Sequence, residues 1–429
     1  MNRLFPDTAT SRAGRLVIGG CDVVDLAAKY GTPLYVYDEA TVRGRAAAYR
    51  DGLATAYPGE SLVCYAGKAY TAPWLLKILD EERLGLDVAS GGELYVASRS
   101  GFPPERVYFH GNNKSQDELR LALELGVHRI VVDNFEEIDR LARLGAEQAV
   151  LLRVAPAVEA HTHAHILTGA PDTKFGLSLE TGAAEAGVKA LQACPNLRLV
   201  GLHAHIGSQL FDLEPYRQTI RRLVQFAARM RELYGFELCE LSPGGGFGIS
   251  YTPDQAPIPP DVVTRGLAEA VCSEATGDAS RPAITIEPGR SIIGPACVAV
   301  YRVGSIKDIP GVRTYVAVDG GMADNIRPAT YAAIYSAVLA NRMDEAASAT
   351  VAVAGKYCES GDVLIREAQL PRPRVDDLVA IPSSGAYQLA MASNYNQALR
   401  PAVVVVNDGQ ARLVRRRERY EDLLRLDRV

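Results

Sequence analysis

Lys68 closes an apolar run, Ser61-Leu62-Val63-Cys64-Tyr65-Ala66-Gly67-Lys68, and a helix-like pattern over 69–79 follows it. A β-rich run of this kind delivers its last residue to a strand's C-terminal tip, where parallel α/β proteins keep their chemistry. A lysine there is either an ordinary solvated strand end or a nucleophile. Glu287 closes another short run and opens Glu287-Pro288-Gly289-Arg290. That carboxylate could be an ion-pair partner for Arg290. It could equally face a pyridinium nitrogen and keep such a ring protonated and electron-withdrawing.

The segment Cys358-Glu359-Ser360-Gly361-Asp362 sets a thiol and two acids around a turn glycine. Taken alone a cysteine is usually an inert core residue, but beside two carboxylates it becomes a candidate proton donor to carbon. No histidine in that segment marks it as a protease nucleophile. Arg327, in Asp324-Asn325-Ile326-Arg327-Pro328-Ala329-Thr330-Tyr331, is either part of a surface helix start or a bidentate clamp on a carboxylate.

The loop Ser242-Pro243-Gly244-Gly245-Gly246-Phe247-Gly248 offers closely spaced backbone N–H groups with no side chains in the way, so it is a phosphate cradle or a tight turn. It fails the dinucleotide fingerprint, because Ile249 stands where a third small residue belongs, and no Walker lysine follows. The histidines raise a competing reading. His161, His163 and His165, and then His203 and His205, recur at period two, as in metal-dependent barrel hydrolases. No histidine follows His205, so later strands supply no further imidazole to such a site. His205 could instead lie flat against an aromatic cofactor ring.

Eight β-like runs position these residues, each followed by a helical pattern: 62–66, 84–86, 107–109, 129–132, 150–154, 199–204, 240–241 and 284–286. They close on Lys68, Asp87, His110, Asp133, the neighbourhood of Ala155, His205, the glycine loop and Glu287. Eight strands alternating with helices over this length predict a (β/α)8 barrel over 35–287, with an open doubly wound sheet as the alternative. After Glu287 the texture changes to β-rich segments at 297–306, 314–318, 350–353, 377–381 and 402–406. A separate, mostly β domain is expected from 1–34 together with 288–429.

The 429 residues are 48% hydrophobic and carry a net charge of −5, enough apolar material for two cores and no electrostatic footprint for nucleic acid. The basic stretch 412–419 is diluted by Glu418, Glu421 and Asp422 and reads as a solvated tail. No apolar run is long enough to span a bilayer and the first residues begin no secretory signal, so a soluble, cytoplasmic protein is expected. Seven scattered cysteines without CxxC spacing predict reduced thiols and no structural zinc.

Tyr65-Ala66-x-Lys68, the stretch 87–94, His205-Ile206-Gly207-Ser208-Gln209, the triple-glycine loop, Glu287-Pro288-Gly289-Arg290, the Cys358 segment and Gly385-Ala386-Tyr387 follow one another in an order that resembles the fold-type III pyridoxal-phosphate decarboxylases. His165-x-x-Thr168-Gly169, Asp172-x-Lys174-Phe175-Gly176-Leu177 and Arg327-Pro328-x-x-Tyr331 are similar to signatures of the diaminopimelate decarboxylase family within that group. One departure is Gly320-Gly321-Met322-Ala323-Asp324-Asn325, where the family more often reads Met-Asn-Asp.

The resemblance implies an alanine-racemase-type barrel with a β domain, pyridoxal 5'-phosphate as cofactor, no metal, and conversion of meso-diaminopimelate to L-lysine and carbon dioxide. It implies that Lys68 holds the cofactor covalently, that His205 stacks on its ring, and that Glu287 faces the ring nitrogen with Asp87 nearby. Ser208, Gly244, Gly245, Gly246 and Tyr387 would hold the phosphate or cofactor. Arg290, Arg327, Tyr331, Glu359 and Tyr387 would hold the amino-acid substrate, and Cys358 would donate the proton after carbon dioxide leaves. Cys358 and Glu359 would come from the other subunit of a homodimer. Decarboxylation of ornithine, lysine or a carboxylated polyamine, non-catalytic cofactor binding, and metal-dependent hydrolysis are the alternatives.

Overall fold

The computed structural model describes residues 3–158, 173–275 and 281–428. His161, His163 and His165, with Thr168, Gly169 and Asp172, lie outside them. The chain divides into two compact units, one of Arg45–Gly248 with Pro257–Gly289, the other of Met1–Gly44, Ile249–Ala256 and Arg290–Val429.

The first unit is a closed barrel of eight parallel strands: β1 (Ser61–Ala66), β2 (Gly85–Val88), β3 (Val107–Phe109), β4 (Arg129–Val132), β5 (Gln148–Ala155), β6 (Leu197–His203), β7 (Glu240–Gly245) and β8 (Ala283–Glu287). Each pairs in parallel with the next, and β8 closes the ring on β1. The closed ring settles the choice against an open sheet. Polar residues after the strands start the helices. Ser90, Ser115 and Asn134 accept the backbone N–H of Glu93, Glu118 and Glu137, capping Gly91–Arg99, Gln116–Leu125 and Phe135–Leu144. Each strand end is therefore tied to a fixed helix start.

Cys64, Tyr108, Val131, Leu151 and Val200, one each from β1, β3, β4, β5 and β6, pack together in the core. A polar group crosses the same core: the Tyr108 and Thr285 hydroxyls donate to Glu240 at 2.6 and 2.9 Å, and Arg129 Nε donates to it at 2.8 Å. With its lone pairs answered, Glu240 can be buried.

The second unit is mostly β. Its larger sheet runs Val363–Leu370, Ala349–Ala354, Arg313–Val318, Cys297–Ile309, Leu34–Asp38, Ala402–Asn407 and Gln410–Arg415 in spatial order, with Leu378–Ile381 pairing to Cys297–Ile309. A small sheet of Thr10–Arg12, Arg15–Ile18 and Cys21–Asp22 precedes it. Leu16, Ile18, Val298, Val300, Ala380, Val404 and Val406 belong to one core of this unit. The basic stretch is not a free tail: Gln410–Arg415 is a strand, and Arg416 pairs with Asp422. None of its residues is buried and half are exposed, which is why it read as solvated.

Candidate active site

At the C-terminal ends of the barrel strands, Lys68 lies exposed on the short 3₁₀ turn Gly67–Ala69 that follows β1. Tyr65 holds this turn, its hydroxyl donating to the Tyr70 carbonyl at 2.9 Å. Glu287, the last residue of β8, is buried. Its Oε1 accepts from Ser242 Oγ at 2.8 Å, and His203 Nε2 lies 3.0 Å from Oε1 and 3.2 Å from Oε2. Burial acts to raise the pKa of Glu287, but His203 and His110 outweigh it and hold the carboxyl well below its usual range. Glu287 is thus a buried carboxylate that stays charged.

Asp87 behaves in the opposite way: burial and then the Glu287 charge raise it, with Lys68 opposing them. His110 Nε2 stands between the two acids, 3.6 Å from Asp87 and 3.8 Å from Glu287. His205 is held well below the usual imidazole range, first by burial and then by the Lys68 and Arg153 cations. Its Nδ1 accepts the Gly245 N–H at 3.3 Å. A neutral imidazole anchored in this way presents a flat, uncharged face.

The Gly244–Gly246 stretch is a passage where only glycine fits. Gly244 (φ +81°) and Gly246 (φ +93°) take left-handed backbone, and a Cβ on Gly244 would come within 2.5 Å of the Ala204 carbonyl. A Cβ on Gly245 would collide with the Glu287 carbonyl, and one on Gly246 with that of Gly207, beside half-buried Ser208. The Gly244 N–H donates to Ser242 Oγ at 3.2 Å and the Gly245 N–H to His205 Nδ1, so this turn is tied to β7 and to the end of β6.

In the β unit, Arg290 and Arg327 are both buried. Arg290 Nη1 donates to the Tyr251 hydroxyl at 2.5 Å, and its guanidinium lies 4.6 Å from the Tyr387 ring centroid. Arg327 donates to the Tyr335 hydroxyl and lies 4.9 Å from the Tyr251 ring. Burial pushes the pKa of the Tyr251 phenol up, but Arg290 and Arg327 outweigh it and bring it below the usual phenol value. Tyr387 is half-buried at φ +60°, backbone that a tyrosine adopts only under constraint. Tyr331, Cys358 and Glu359 are exposed. The second acid of the cysteine segment, Asp362, is structural: it is buried and accepts the N–H of Met322 and Tyr357 at 2.7 and 2.9 Å.

Residues 40–294 match the family described as pyridoxal-dependent decarboxylase, pyridoxal binding domain. The chain is 48% identical to the diaminopimelate decarboxylase of Bacillus subtilis, across 96% of this chain and 95% of that protein. Similarity of this extent decides the family. The chain belongs to the diaminopimelate decarboxylases. A crystal structure of diaminopimelate decarboxylase from M. jannaschii in complex with L-lysine superposes with a TM-score of 0.93 at 34% identity, covering 99% of this chain and 98% of that one.

Membership in a pyridoxal-dependent family implies pyridoxal phosphate, and the barrel residues fit it. A lysine, a neutral imidazole, a charged buried carboxylate and a glycine turn stand at neighbouring strand ends. Other members of the cluster were less legible. His203 was visible only as half of a metal-like His-x-His pair, and His110 only as a strand end. His110, His203 and Glu287 do form a group whose ligand atoms lie within 4.8 Å of one another. Tyr251 and Tyr335 gave no signal, since neither sits in a periodic element. Their only mark was an excess of tyrosines, 20 in the chain against 9 phenylalanines, which suits hydroxyls bound to buried cations.

Proposed function

We propose that this protein decarboxylates meso-diaminopimelate to L-lysine with pyridoxal 5'-phosphate as cofactor, as a cytoplasmic homodimer whose subunits share active sites. The observation that carries the reading is the Glu287 carboxylate, buried at the end of β8 and bonded by His203 and Ser242, with the glycine turn of β7 beside it and Lys68 and His205 at neighbouring strand ends. A cation with an aromatic face and a phosphate answers those features together.

When bound, the cofactor supplies an electron sink for the bonding pair left as the substrate carboxylate departs. In this reading Lys68 would hold the cofactor through its side-chain amine. His205 would lie against the ring, Glu287 would face the ring nitrogen with Asp87 close by, and Ser208, Gly244, Gly245, Gly246 and Tyr387 would hold the phosphate end. Arg290, Arg327, Tyr331 and Tyr387, with Glu359 of the other subunit, bind the carboxylates and the distal amino-acid end. The Cys358 thiol of that subunit delivers the proton that replaces the lost carboxylate.

Tyrosine hydroxyls and two guanidiniums favour a substrate with an additional carboxylate over ornithine or lysine, which carry one each. The domain limits belong to the same proposal, with 35–44 and 249–256 given to the β unit and not to the barrel. The deciding experiment combines turnover with complementation. Purified protein should take up pyridoxal phosphate and release lysine and carbon dioxide from meso-diaminopimelate. Lys68→Ala and Cys358→Ala should each lose nearly all turnover, yet equimolar mixing with subunit exchange should restore about a quarter of it, because half of the dimers then hold one intact site. No cofactor uptake would sink the function, and absence of recovery would sink the shared site.

A further inference from the structure

Glu287 is held by groups that the function above does not use. His203 ends β6, Ser242 lies in β7 and His110 follows β3, so three different strands converge on one carboxylate. Resting on the reading of Glu287 given above, we propose that His203, assisted by Ser242, is a positioning residue: it fixes the orientation and the charge of Glu287 toward the cofactor's ring nitrogen.

The first argument is geometric. His203 Nε2 lies within hydrogen-bond distance of both carboxylate oxygens, and Ser242 Oγ adds a second donor to Oε1. Two lone pairs facing each other at 3.0 Å would repel, so Nε2 carries the proton and donates. The same proton removes Nε2 as a metal ligand, which separates this arrangement from a His-His-carboxylate metal site. Oε1 receives the two shorter bonds, and Oε2 only the longer branch, so Oε2 keeps acceptor capacity.

The second argument concerns what is left unpaired. His203 Nδ1 is buried with no hydrogen-bond partner among the described residues. A histidine kept only for packing would be replaceable by an apolar side chain, which carries no such unmet acceptor. His110 stands edge-on to His203, ring centroids 4.8 Å apart, and closes the far side. The other titratable and charged groups acting on this corner are Asp87, His205, Lys68 and Arg153.

The test reads the ring nitrogen directly. Holoprotein loaded with pyridoxal phosphate enriched in 15N at the ring is examined by NMR for the wild type, His203→Leu, His203→Gln and Ser242→Ala. The expected result is a protonated-pyridine shift in the wild type, displaced toward the unprotonated value in His203→Leu and largely restored in His203→Gln, whose amide can still donate. kcat in His203→Leu should fall roughly ten- to a hundredfold with KM changed by less than about threefold. Ser242→Ala should displace the signal in the same sense by a smaller amount, and it carries the test if His203→Leu does not fold. Uptake of cofactor with the same shift in every variant overturns this inference and leaves the function standing. A wild type that takes up no labelled cofactor overturns both.

Discussion

Tyr251 donates no obvious chemistry, yet both buried arginines of the β unit converge on it, Arg290 through its hydroxyl and Arg327 over its ring. A guanidinium held against a phenol is confined to one rotamer, so its position is set before a carboxylate arrives. Tyr251→Phe removes the hydroxyl while keeping the ring. A hydrogen bond to a charged group contributes roughly 1.5–3 kcal/mol, so KM for meso-diaminopimelate should rise about ten- to a hundredfold. kcat at saturation and cofactor uptake should change little, because the Glu287 corner is untouched. Steady-state kinetics make the check, and a loss confined to kcat would remove Tyr251 from substrate positioning. At this scale the sequence revealed residues that end strands, since Lys68, Asp87 and Glu287 each follow a run that announces them. It hid Tyr251 and Tyr335, because Tyr251 leaves the glycine loop through an irregular segment whose partner, Arg290, is 39 positions away.

Among elements, the glycine passage at the end of β7 is the least tolerant of change. Gly245 lies against the Glu287 carbonyl, so an added methyl forces β7 away from β8. Gly245→Ala should destabilise the protein by about 1–3 kcal/mol and lower Tm by several degrees. Affinity for pyridoxal phosphate should fall further than stability does, since the displaced backbone is the cradle itself. Thermal melts of apoprotein and a cofactor titration separate the two effects, and unchanged affinity would deny the loop its phosphate. All eight barrel strands were legible, because β-branched runs alternate with capped helices and the closing residues are polar. Several strands of the other unit were not, among them three of its larger sheet. Leu34–Asp38 is buried at every position and has no alternation to show, and Val363–Leu370 carries Arg366 and Glu367 mid-strand. Gln410–Arg415 had a readable signal that went unused: Asp408 and Gly409, both at positive φ, form the tight turn after 402–407.

Across the whole molecule, buried carboxylates of opposite tendency set the response to pH. Glu287 has its folded value depressed, so its contribution is present above the unfolded value and is lost as pH falls through the folded one. Asp324, in the β unit, is pushed up to about 6, chiefly by burial, although Tyr301, the Gly321 N–H and Tyr35 donate to it. For a carboxyl raised in this way the folded state binds the extra proton between the unfolded value and about 6, so stability falls as pH rises through that window. The shift from 3.8 to about 6 corresponds to a loss on the order of 3 kcal/mol by neutral pH. Asp324→Asn keeps an acceptor for the Gly321 N–H and cannot ionise. Its stability relative to the wild type should therefore improve steadily from pH 4 to 7 and level off above. Denaturant unfolding of both proteins at matched ionic strength measures that difference directly. A difference independent of pH would mean that the two tyrosine hydroxyls and the backbone donor already hold Asp324 ionised throughout, and that the acid limb set by Glu287 alone shapes the profile.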